Sequence, residues 1–427
     1  MSKMPKICIA ALAILYLSVT AAHAQSKPAT TPTESKSTSK STRPAAKTAA
    51  AKVEAPAVVI DSSKSVYVVP MGIKKNGMFG LDIHPQVYEL IAKDIVEKRP
   101  DIVVFVLNSA DLDSVRYLGD DPRKFGIFDD DSQRKMSRDL KEAVEKVGAT
   151  AIMIIRDAVG YSALLGLSWP NMYMTESARL MGLERIQERL QVTDPEVLAK
   201  FREAFVGICT GFLVAGGYSP SIGLAMMRPE KKLSAAFKGR EVVWTEDDKG
   251  SVLVDGSEKH TAQFTAESAE LLGLSDGTVS DDDATMIEDL MYQRGFRNFR
   301  RMNEGEVLVQ EYIDGWRKAL ADCVKAYPQY QEAIGNAQGK DEKKYVQKAK
   351  GILESVISKM KKYKAVEIML NKDGITRINM ETEVLKLQER IRGLGKSTAP
   401  PAGGGRKGGG GGMGPGSSLF GVGSVAN

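Results

Sequence analysis

Histidine and cysteine are almost missing from this 427-residue chain, with three of each. His23 and Cys8 fall in an apolar N-terminal segment, which leaves His84, His260, Cys209 and Cys323. So few ligating side chains supply histidine-based catalysis and His-rich metal sites poorly. Cys209 and Cys323 both lie in apolar helical patterns, and two such cysteines make no disulfide framework even in an oxidising compartment. The sequence also lacks a P-loop, a dinucleotide fingerprint and a zinc spacing, so neither cofactor nor metal is expected. Long apolar runs are scarce as well. Only Ile7–Thr20 stands out, and it is short for a membrane span. Lys3 and Lys6 precede it and Ala22-His23-Ala24 follows it, the pattern of a secretory signal peptide over 1–24 cleaved before Gln25. An exported protein, periplasmic or secreted, is expected.

The net charge of +5 is unevenly placed. The leader carries +2, residues 25–54 carry six basic and two acidic side chains, and residues 396–427 carry Lys396, Arg406 and Lys407. The remainder, 55–395, is therefore at −4. A mildly acidic folded part argues against nucleic-acid binding. The basic tails read as solubilising linkers, with contact to an anionic envelope surface as the other reading.

Residues 25–64 open with a Ser/Thr/Ala/Pro/Lys-rich linker, and 396–427 form a Gly-rich tail. Between them, strands alternate with helices. Val66–Met71, Asp101–Leu107 and Ala151–Ile155 read as continuous apolar strands, and Asn171–Met174 as a short fourth. Pro85–Arg99, Ser137–Val147 and the segment starting at Ala163 read as helices. That alternation implies a mostly parallel sheet covered by helices over 65–295. Asp194–Gly217 is a long apolar helix, and Arg240–Val254 reads as a hairpin about Asp247–Gly250. Thr265 caps a short helix, and Ser280 is placed to cap another beginning at Asp281-Asp282-Asp283. Residues 296–395 read as helix only, with stripes at Val309/Ile313/Trp316/Leu320/Cys323/Tyr327, Tyr345/Ile352/Val356/Met360 and Val384/Leu387/Ile391.

Three segments carry a family likeness: Val66–Gly72 with the helix around Tyr88–Ile95, Ala151–Gly182, and Thr265–Gly277. In them the chain resembles the ClpP/crotonase superfamily, and within it the membrane-associated serine proteases of the NfeD and signal peptide peptidase A type. The resemblance implies an α/β fold, a repeated ββα core with a mostly parallel sheet, and assembly into homo-oligomers. It also implies a Ser–Lys dyad, with the lysine about forty residues after the serine. Ser162 stands where a strand turns into a helix, and Lys200 follows it by 38 residues.

Two readings of these residues stay open. In the first, Ser162 is a nucleophile, Lys200 a neutral amine base buried in an apolar helix, and amides near Gly160 hold the oxyanion. The protein would then be a Ser–Lys endopeptidase acting on peptides or membrane-derived protein segments. In the second, Ser162 caps the helix at Ala163, Lys200 extends along the surface, and the site is degenerate. Gly160 is then the vacated nucleophile position. The glycine pair that the family places after its second strand is missing from Leu107–Ser114, which favours a binding or scaffold module. His84 and His260 read as structural or solvated. Asp129–Asp131 lacks a calcium-loop spacing and reads as a turn. Arg297, Arg300 and Arg301 form a basic patch suited to a salt bridge or a domain contact.

Overall fold

A computed structural model describes residues 64–73, 77–110, 130–184 and 193–394. The expected leader, nearly all of the first linker, Asp129 and the Gly-rich tail lie outside the described residues. No described helix is long and apolar enough to cross a membrane.

The first strands form because their apolar residues run unbroken. β1 (Lys64–Met71), β2 (Ile102–Ser109) and β3 (Thr150–Val159) pair in parallel, Val66 opposite Ile102 and Ile102 opposite Thr150. Every residue of β2 is buried, as expected of a strand covered on both faces. β4 (Met172–Thr175) joins β3, and two short strands complete the edges: β10 (Thr278–Val279) beside β4 and β11 (Phe299–Met302) beside β1. The sheet order is β10-β4-β3-β2-β1-β11, with β5 (Arg179–Met181) pairing β3 and β9 (Phe264–Thr265) pairing β5 antiparallel.

Local chemistry sets the helix ends. α1 (Pro85–Lys98) begins with His84 accepting from the Gln86 N–H and with Pro85 in its first turn. α2 (Asp130–Val147) and α3 (Tyr161–Leu167) follow β2 and β3. α4 (Pro195–Gly216) is capped by the Asp194 carboxylate and stopped by Gly217 at φ 82°. α5 (Pro220–Met227) comes next, then α6 (Ala266–Leu271), which carries a Thr265/Ser268 capping box. α7 is Met286–Gln293. One face of the sheet, with Tyr67, Val69, Phe105 and Ile155, is covered by α1 to α4. The other, with Val66, Val68, Val104 and Ile154, packs against Ile287, Leu290 and Met291 of α7.

Two sequence expectations change here. Residues 240–254 do not form a hairpin: β7 (Glu241–Thr245) and β8 (Val252–Asp255) each pair with β6 (Leu233–Lys238), in the order β7-β6-β8. The Asp247–Gly250 turn passes over β6, with the Gly250 N–H donating to Ser234 Oγ. The acidic run Asp281–Asp283 does not open a helix either. Ser280 holds Asp282 N in a turn, and α7 starts only at Met286.

The C-terminal helices are α8 (Glu304–Gly335), α9 (Glu342–Lys362), α10 (Lys364–Lys372) and α11 (Arg377–Leu394). Val309, Ile313, Trp316 and Cys323 of α8 enter the sheet's own core, whereas Tyr330, Val346, Leu353, Val384 and Leu387 form a distal one. Pro328 sits within α8 between those two sets. At the base, Arg317 pairs with the buried Asp82 at 3.0 Å, and the Gln86 side chain donates to the Lys362 carbonyl at 2.6 Å.

Candidate functional site

The carboxyl ends of β1, β2 and β3 meet where the sequence placed its candidate serine. β3 ends at Val159, Gly160 makes the turn at φ 73°, and α3 begins at Tyr161. Such φ values are open to glycine and strained for other residues, which explains Gly160 at this corner. Its amide donates to the Met181 carbonyl of β5 at 3.0 Å, so it is already bonded rather than presented to an oxyanion.

Ser162 is fully buried in the first turn of α3. Its Oγ accepts from the Val159 N–H at 2.8 Å and donates its single proton toward the carbonyls of Ser109 (2.9 Å) and Val159 (3.0 Å). The chain of bonds continues, since Ser109 Oγ donates to the Gly77 carbonyl at 2.7 Å. Gly77 in turn lies against Gly72, where a Cβ would stand 2.3 Å from the Asn108 carbonyl oxygen. One hydroxyl thus ties the end of β3 to β2, and Ser109 ties β2 to the segment after β1. The register shift between Leu107 and Asn108 helps bring Ser109 to this position.

Lys200 lies in the exposed first turns of α4. α4 meets α3 through Phe205, whose ring packs edge-on to Tyr161 at 6.1 Å. A residue five positions before Phe205 sits about 140° around the helix at ~100° per residue, which turns Lys200 away from α3. The dehydrated amine that the dyad requires is therefore not supplied by Lys200.

A half-buried amine does exist nearby, on Lys141 of α2. Its Nζ donates to the Ser168 carbonyl at 2.6 Å and toward the Ala215 carbonyl at 3.4 Å, and it stands 5.4 Å from the Trp169 ring centre. Burial pushes its ionisation below the usual lysine range, with the Glu145 charge opposing. Lys141 thereby holds the carboxyl ends of both α3 and α4, as a cation suits helix C-termini. Ser168 lies six residues past Ser162, roughly 9 Å along a helix at ~1.5 Å per residue. That exceeds the reach of direct proton transfer, about 3 Å. No local sequence pattern marks Lys141; its surroundings arise only when α2, α3 and α4 pack.

The remaining candidates are structural or solvated. His84 is buried, caps α1, and is pushed down to about 4 by burial and then by the Lys364 charge. His260 is exposed. Cys209 and Cys323 are buried and unbridged. No cluster of three or more His, Cys, Asp or Glu suited to a metal ion occurs among the described residues. Arg301 pairs with Glu306 at 2.6 Å, while Arg297 and Arg300 are exposed and make no ion pair among the described residues. Comparison with known family models and with curated proteins finds no match to this chain.

Proposed function

We propose that this is an exported protein of ClpP/crotonase-like architecture that has lost peptidase chemistry and works as a homo-oligomeric binding or scaffold module. The observation that carries this reading is the state of Ser162. Its hydroxyl is enclosed, one of its lone pairs and its proton are taken by backbone groups, and the amine meant to activate it stands in water. A serine nucleophile needs a neighbouring base and an open face for the acyl group. Removing Ser162 from its three bonds would leave buried backbone groups unpaired, so this hydroxyl is a fastener. A mostly parallel sheet covered by helices supports the architecture, and the leader-like pattern over Met1–Ala24 supports export.

A serine-reactive fluorophosphonate tests the reading directly. The purified chain is expected to take up no probe from about pH 6 to about pH 9, the range in which an activated amine becomes neutral. A Lys200→Met control should unfold within about 0.5 kcal/mol of the parent. An adduct located on Ser162 by peptide mass mapping, and lost in Lys200→Met, would establish the Ser–Lys endopeptidase instead.

A further inference from the structure

The stretch from Thr261 to Gln293 holds eight acidic side chains and no Lys or Arg. The next stretch, Arg294 to Arg301, holds four arginines and no acid. Apart from Arg294, whose charge acts on Asp276 at the acidic edge, the fold delivers these two segments to opposite edges of one sheet. β10, flanked by α6 and α7, forms one edge, and β11 forms the other. Glu267, Asp282 and Glu288 are exposed around β10 and form no ion pair among the described residues. Arg297 and Arg300 are exposed and equally unpaired at β11.

Arg156 pairs with Asp283 and Arg294 acts on Asp276, but the remaining charges of the two edges do not neutralise one another within one molecule. Five strand spacings of ~4.8 Å separate the edges, about 24 Å across the sheet. The register adds a second displacement. Phe299 is level with Lys64, whereas Thr278 is level, through Met174, Ile155 and Leu107, with Met71. Seven residues at ~3.3 Å place β10 roughly 23 Å further along the strand direction. Both distances exceed the Debye length of ~8 Å at physiological salt. Each edge is left with exposed charge of one sign, which a complementary surface on another molecule can offset.

We propose that copies of this chain associate head to tail, the arginine edge at β11 of one copy seated against the acidic edge at β10 of the next. This rests on the scaffold reading and names the surfaces that would build it. Because the two edges differ, the contact is heterologous and generates a ring or an open filament. Because they are displaced along the strands, each copy is stepped relative to the last. The contact runs through side chains at the β10 edge. Gly277 and Val279 turn their carbonyls to β4, and the outward carbonyl of Thr278 is already taken by the Gln293 amide at 2.6 Å. That blocks a simple continuation of the sheet by backbone pairing.

The test is sedimentation velocity of the full chain at ~0.01 M and ~1 M salt. The parent should associate in dilute salt and dissociate in concentrated salt. The double variant Arg297→Glu/Arg300→Glu puts acids in place of the exposed arginines, and Asp282→Lys/Glu288→Lys cuts the acidic stretch from eight negative charges to a net of four. Each alone should lose all species above the monomer, while an equimolar mixture of the two should associate again. Thermal unfolding matched to the parent certifies that both variants are folded. A parent that stays monomeric in dilute salt overturns the inference together with the assembly reading. An associated parent unaffected by both reversals overturns these edges and leaves assembly standing. A mixture that remains monomeric also overturns them, since the loss in each variant then owes nothing to complementary sign.

Discussion

Residues 55–295 carry 28 Lys and Arg against 38 Asp and Glu, while residues 296–395 carry 20 against 14. The sheet region is thus at −10 and the helical region at +6, although the base of the helices lies in the sheet's core. They also differ in how polar groups are used. Around the sheet these are enclosed and bonded, as with Ser162, Asp157 to Arg179 at 2.9 Å and Tyr67 to Asp94 at 2.6 Å. On the helices, the ion pairs Lys350–Glu354, Arg377–Glu381 and Lys386–Glu383 each involve at least one solvent-exposed partner, where such contacts contribute about 0–1 kcal/mol. The sheet side therefore adds enclosed hydrogen bonds to its apolar core, beside exposed pairs such as Lys135–Glu89. The helical side rests mainly on its apolar stripes, with the buried Glu367 carboxylate, bonded to Lys364 and Arg377, as an exception.

The most severe way to break that contrast is to excavate each core. Phe105→Ala, beneath Trp169 at 4.6 Å, should cost about 3–5 kcal/mol in urea unfolding. Leu353→Ala in the distal core should cost about 2–3 kcal/mol and appear in amide exchange as faster opening of α9 and α11, with β1–β3 still protected. Equal loss of protection in the strands would show that the two regions unfold as one.

A second test acts at the junction, where His84 lies 6.3 Å from the Tyr312 ring, centre to centre. Facing groups there are Asp82, Tyr88, Arg317 and Lys364. The folded imidazole ionises only at about 4, whereas the unfolded one does so near 6.5. Its contribution is fully present above the unfolded value and is lost as pH falls toward 4, about 3 kcal/mol in all. His84→Asn keeps a side-chain acceptor at the helix start and should flatten that part of the pH profile. Asp82 acts in the opposite sense, because burial raises its carboxyl and favours the fold at lower pH. Subtracting the variant's profile removes that background. An unchanged slope between pH 6.5 and 4 would rule out a buried neutral ring.

The smallest effect belongs to the serine. Ser162→Ala should cost about 2 kcal/mol by leaving the Val159 N–H and Ser109 carbonyl without their partner. Loss of less than about 0.5 kcal/mol would mean that the three bonds are not fasteners.

The main strands were legible because β1, β2 and β3 are unbroken apolar runs. The long helices were legible through their stripes. β6 was not, since Leu233-Ser-Ala-Ala-Phe-Lys offers little β-branched character and its strand state comes from two neighbours. β10 and β11 are too short to leave a pattern. At the candidate site, the strand–turn–helix around Gly160 was readable, but burial was not. Isolation of Lys200 along the chain carries no information about its side of the helix. Lys141 was missed because its depressed amine depends on carbonyls 27 and 74 residues away.

Pro328 interrupts α8 between Cys323, the last buried α8 residue in the sheet's core, and Tyr330, the first in the distal one. A proline cannot donate to the carbonyl four residues back, so this long rod lacks a rung at the border of its two neighbourhoods. Arm length is consequently separable from the platform that bears it. Matched turns could be trimmed from α8 after Pro328, from α9 before Leu353 and from the facing part of α11, while the side chains beneath the strands keep their place.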